Sequence, residues 1–104
     1  MSTIQYNNKG QYHGTCQLEE WSVLYDNGVP ISATLVDGAV IKPNKNTEIE
    51  LAIIIFRNDA GQKHRVDGPA VIWSYGYKAW WLNDVYYGDS EEPPEVYLES
   101  LKNL

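Results

Sequence analysis

The chain is short of cysteine, methionine, phenylalanine and positive charge, and it has no long apolar run. A single cysteine, Cys16, excludes an internal disulfide framework, and it leaves too few thiolates for the usual structural zinc site. The longest purely apolar stretch, Leu51 to Phe56, is far below the ~20 residues a membrane-spanning helix needs. No N-terminal segment combines a basic start, an apolar run and a small-residue cleavage site, so the expectation is a soluble, cytoplasmic protein. Eight Lys and Arg stand against 14 Asp and Glu, a formal charge of -6. Nucleic-acid affinity is built largely from cationic side chains that neutralise phosphates. Neither direct nucleic-acid binding nor a membrane partner is therefore expected.

What the chain does have is β-forming residues and turn signals. Its 104 residues suit one domain, 1–104, long enough to bury a core without staples. Val, Ile, Tyr, Trp and Thr dominate from Gln17 to Tyr87, broken by Asp26-Asn27-Gly28, Asp37-Gly38, Asn58-Asp59-Ala60-Gly61, Asp67-Gly68-Pro69, Tyr75-Gly76 and Asn83-Asp84. Candidate strands run over 18–25, 31–36, 39–42, 47–57, 70–74, 78–82 and 85–87. Asp37-Gly38 is the clearest two-residue hairpin signal. The segment 47–57 alternates at first and then turns continuously apolar, which predicts a single central strand. Beyond Gly88 the composition turns acidic, and Pro94, Glu95 and Lys102 mark a helix over about residues 94–103, docked through Val96, Leu98 or Leu101. The expected fold is mainly β, a β-rich α+β chain: an antiparallel meander of about six or seven hairpin-built strands with one short C-terminal helix.

Two stretches resemble each other. Lys9-Gly10-Gln11-Tyr12-His13-Gly14 leads to Trp21 and Asp26-Asn27-Gly28, while Gly61-Gln62-Lys63-His64 leads through Asp67-Gly68-Pro69-Ala70 to Trp73, Trp80-Trp81 and Asn83-Asp84. Internal repeats bear on fold before any other reading. The second stretch, His64-Arg65-Val66-Asp67-Gly68-Pro69-Ala70-Val71 through Tyr75-Gly76-Tyr77-Lys78 to Trp81-Leu82-Asn83, resembles the MORN-like hairpin repeats of small phage and bacterial proteins. The resemblance covers residues 61–92 well, 8–30 faintly and 31–57 not at all, and Asp84 stands where the repeat usually has Gly. It implies one β-hairpin per repeat, stacked side by side as a scaffold or binding surface. It also implies a phage or mobile-element origin, which would place the protein in the host cytoplasm.

Catalytic chemistry has little to stand on. His13 with Cys16 and His64 with Asp67 share a spacing that could hold a metal, but Asp67 also suits bonding to its own turn, with His64 packed or facing water. Glu19 and Glu20 lie close to Cys16, the wrong setting for a thiolate nucleophile. Nucleophile-elbow, phosphate-loop and dinucleotide motifs are absent, and no cofactor or metal is implied. The expectation is a protein without enzymatic activity.

The aromatic set is the most informative feature. Trp73, Tyr75, Tyr77, Trp80, Trp81, Tyr86 and Tyr87 crowd one hairpin, and strand neighbours point to opposite faces, so Trp80 and Trp81 cannot fill the same core. Aromatics are enriched at binding hot spots. The expected function is a non-catalytic protein-binding module that blocks a host or defence protein sterically. Its candidate partner-binding residues are Tyr77, Trp81, Tyr86 and Tyr87 as anchors, with Asp84, Asp89, Glu91 and Glu92 steering a basic partner surface. The alternatives are an anti-CRISPR or anti-restriction inhibitor occupying a nucleic-acid channel, and a self-assembling homo-oligomer pairing through the edge Thr47 to Phe56.

Overall fold

The computed structural model describes residues 3–104. Among these residues nine strands form two antiparallel meanders. The first holds β1 (Gly14–Gln17), β2 (Trp21–Asp26), β3 (Val29–Leu35) and β4 (Val40–Ile41) in chain order. The second holds β5 (Thr47–Ile49), β6 (Ile53–Phe56), β7 (Val71–Trp73), β8 (Lys78–Leu82) and β9 (Val85–Asp89), followed by the helix α1 (Glu95–Leu101). The fold is thus mainly β with one C-terminal helix, as the turn signals predict. The meander is split in two, and β1 is a strand the sequence did not announce.

The predicted central strand over 47–57 is instead the hairpin β5–β6. Glu50-Leu51-Ala52 reverses the chain, so that Ile49 lies opposite Ile54 rather than two turns of pleat away. Partners distant in sequence hold this bend. The indole N–H of Trp21 donates to the Leu51 carbonyl at 3.0 Å, and the Ser74 N–H donates to the Ala52 carbonyl at 2.9 Å.

The internal repeat is a duplication of backbone and side-chain bonding. Asn7 and Asn58 each open a turn whose glycine, Gly10 or Gly61, takes a φ near +80° (+78° and +82°), a region without strain for glycine. Each Asn Oδ1 accepts two backbone N–H groups, and each Nδ2 donates to a glutamine, Gln11 or Gln62, and to a second Asn, Asn27 or Asn83. His13 and His64 follow, each accepting the backbone N–H of that second Asn through Nδ1 at 3.0 Å. Even the bulges correspond, one between Leu24 and Tyr25, the other between Trp80 and Trp81. Register therefore equates Val71, Tyr77, Ala79 and Trp81 of the second unit with Cys16, Trp21, Val23 and Tyr25 of the first.

The two units stack along a body of 50 × 29 × 19 Å. Cys16, Trp21, Val23, Tyr25 and Ala33 of the first sheet meet Ile49, Ile54 and Ile72 on the back of the second, forming the main core. The rest of that back is covered by α1. Of the three expected docking residues Leu101 packs here while Val96 and Leu98 are exposed, and the residue buried deepest is Tyr97, which the sequence did not single out. Tyr97 packs edge-on to Trp80 at 4.9 Å, and its hydroxyl donates to the Arg65 carbonyl at 2.6 Å. A polar tip with a partner lets the larger side chain take the buried place.

Candidate functional site

With its back covered by the first unit and by α1, the second sheet leaves its front open. Alternation puts Ile53 and Ile55 of β6, Val71 and Trp73 of β7, Ala79 and Trp81 of β8, and Tyr86 of β9 on this front. Ile55, Val71 and Ala79 form a floor, and Trp73, Tyr77, Trp81 and Tyr86 stand around it. Together they enclose a shallow cavity of about 450 Å³. The Trp81 and Tyr86 rings meet at a tilt of 51° with centroids 5.2 Å apart, and Lys63 Nζ lies 4.7 Å from the Trp81 ring centroid. Trp73, Tyr75 and Tyr77 make an aromatic ridge at the opposite end, with centroid steps of 6.1 and 6.3 Å.

Three of the four predicted anchors, Tyr77, Trp81 and Tyr86, come together here. Tyr87 does not. It lies on the back face against Tyr97, ring to ring at 6.4 Å, because adjacent strand residues point to opposite faces. The same rule separates Trp80, buried under α1, from Trp81 on the front.

The four acids divide as well. Asp89, opposite Ala79, lies on the front, and its Oδ1 accepts the Tyr86 hydroxyl at 2.9 Å. That bond, joined by the Tyr77 hydroxyl, holds the Asp89 carboxyl below its ordinary range and pushes the Tyr86 hydroxyl up. Asp84 is a brace, with its carboxylate accepting the Lys63 N–H at 2.7 Å and its own N–H donating to the Lys63 carbonyl. Glu91 pairs with Lys78 at 3.1 Å, so its charge is partly spent within the chain. Glu92 is exposed.

Sequence reasoning missed Ile53, Ile55, Val71, Trp73 and Lys63 as parts of this face. The i, i+2 pairs Ile53/Ile55, Val71/Trp73 and Ala79/Trp81 carried the signal, once 47–57 is split into two strands.

One polar group on the face has no partner. Trp81 Nε1 is shut off from water and finds no acceptor among the described residues. Such a donor costs about 1–3 kcal/mol. The histidines are committed elsewhere, His13 and His64 bracing separate hairpin tips through Nδ1. No cluster of three His, Cys, Asp or Glu with metal-holding geometry occurs among the described residues, and none of their helices is long and apolar enough to cross a membrane. No family model, curated protein or solved structure matches the chain.

Proposed function

We propose that the chain is a non-catalytic protein-binding module whose front face, on the second sheet, takes up an apolar surface of a protein partner. One observation carries this reading. Tyr77, Ala79, Trp81 and Val71 are counterparts in register of Trp21, Val23, Tyr25 and Cys16, which the first unit buries against a sheet; in the second unit Val71 and Ala79 lie beneath the rings of Trp73, Tyr77 and Trp81, and Tyr77 and Trp81 themselves stay half-buried. Interface cores favour aromatics over charge. Lys63, which lines the cavity, and Asp89, on the front beside Tyr86, supply charge at its rim that favours partners by sign. Glu91 is paired with the Lys78 ammonium, whereas Asp84 and Asp89 accept from neutral donors, so the steering role rests on Asp84, Asp89 and exposed Glu92. By its resemblance to MORN-like repeats of small phage and bacterial proteins, the module acts by steric block of a host or defence protein.

Affinity capture from a nuclease-treated bacterial lysate tests the reading, with the native chain set against Tyr86→Ala and Trp73→Ala. A stoichiometric protein retained by the native chain and lost by both variants is expected. Retention unchanged by either substitution would remove the front face from the binding surface.

A further inference from the structure

We infer that in the free protein the front face of the second sheet is covered by the same face of a second copy, in a two-fold dimer that a partner must displace. This rests on the reading of that face as a binding surface, and it commits the face to one occupant when no partner is present.

The argument begins with the interface inside the chain. The first unit's counterpart of this face is buried by the back of a sheet, through Ile49, Ile54 and Ile72. In a second molecule that back is already used. Ile54 and Ile72 lie against its own first unit, and Trp80 and Leu82 lie under Tyr97. The first unit's back cannot substitute, because Thr3, Gln17 and Asp26 occupy the positions of Ile54, Ile72 and Leu82 and are exposed. Head-to-tail growth into a filament is therefore blocked at its first step. Of the two faces of the second sheet and the back of the first, the one a second copy still offers is its own front, and a face that meets itself closes at two.

Charge and shape agree with that closure. Lys63 stands at the Asn83 end of the β8–β9 hairpin, tied to Asp84, while Asp89 lies opposite Ala79 toward the other end. A two-fold axis running across the strands exchanges the two ends, so Lys63 of each copy meets Asp89 of the other. The same axis sets the Trp73–Tyr75–Tyr77 ridge of one copy toward the Trp81 end of the other's cavity. Tyr75, 59% exposed, is the residue such a seat would cover.

Sedimentation equilibrium over roughly 1–100 μM, a range bracketing micromolar dissociation constants, reads the outcome directly. The native chain is expected at twice its 11.9 kDa mass in the upper part of the range. Lys63→Glu and Asp89→Lys alone should each weaken the dimer about tenfold or more. The double exchange Lys63→Glu with Asp89→Lys should restore it, and Glu99→Lys, exposed on α1 and away from the front, should leave it unchanged. A monomer throughout, a dimer indifferent to the single reversals, or failure of the double exchange to rescue would each overturn the inference. A monomer that still captures a protein through Tyr86 and Trp73 would leave the binding-module reading standing alone.

Discussion

His64 accepts the backbone N–H of Asn83 through Nδ1 at 3.0 Å. The bond fixes the tip of the β8–β9 hairpin from outside it, at the end where Lys63 and Trp81 meet. Replacing His64 by Ala should cost about 1 kcal/mol, the net worth of such a bond, and lower the melting temperature by roughly 4–8 °C. Asn at this position carries Oδ1 where His carries Nδ1, so His64→Asn should recover most of the loss. Thermal unfolding followed by circular dichroism decides it, and equal losses for the two variants would deny the acceptor role.

Asp84 occupies φ +67°, where its counterpart in the first unit is Gly28 at +88°. Glycine there removes backbone strain but loses the carboxylate bond to the Lys63 N–H, two effects of similar size. Asp84→Gly should therefore be close to neutral. Asp84→Ala loses the bond and keeps a side chain at positive φ, so it should be less stable than the Gly variant by about 1 kcal/mol. Urea denaturation of the three chains ranks them.

Tyr97 is the peg of α1. Removing its hydroxyl in Tyr97→Phe leaves the ring on Trp80 but takes away the bond to the Arg65 carbonyl, at a cost of about 1–2 kcal/mol. Amide exchange should quicken in α1 more than in β2, which lies in the other unit. Uniform quickening across both sheets would show that the helix is no separate element of stability.

Tyr25 has its hydroxyl pushed up to about 12, chiefly by burial, with smaller contributions from Tyr12, Cys16 and Glu50. Its unfolded value is about 10, so between these two values the folded chain binds the proton and the unfolded chain does not. Stability from this group is complete below pH 10 and falls as pH rises through 12, by at most about 1.4 kcal/mol per unit. Tyr25→Phe should flatten that alkaline slope. Unfolding midpoints at pH 9, 10, 11 and 12, chosen to span the window, would show it.

The local parts of this fold were legible because their causes are local. Asn83-Asp84 turns the chain where its residue types say it should, Asp37-Gly38 does so within a three-residue loop, Val36 to Gly38, instead of a two-residue one, and Trp80 and Trp81 separate by simple alternation. The bend at Leu51 was not legible, since Glu50-Leu51-Ala52 contains no turn residue and is held by Trp21 and Ser74, 30 and 22 residues from their acceptors. Placing Tyr87 beside Tyr86 failed to apply to β9 the alternation already used for β8. Val96 and Tyr97 are neighbours on one short helix, and the choice between them rests on the Arg65 carbonyl, which no periodicity reveals. The duplicated Asn and His positions were visible as a faint likeness. Their meaning lay in hydrogen bonds that a residue pattern does not display.

The bend at Leu51 and Ala52 also couples the halves mechanically. One carbonyl is gripped from the first unit and the next from the second. Tension applied between the two units would load both grips at one short span of backbone. A single nick there would loosen both halves together, so the chain answers to cleavage or pulling as one piece despite its repeated design.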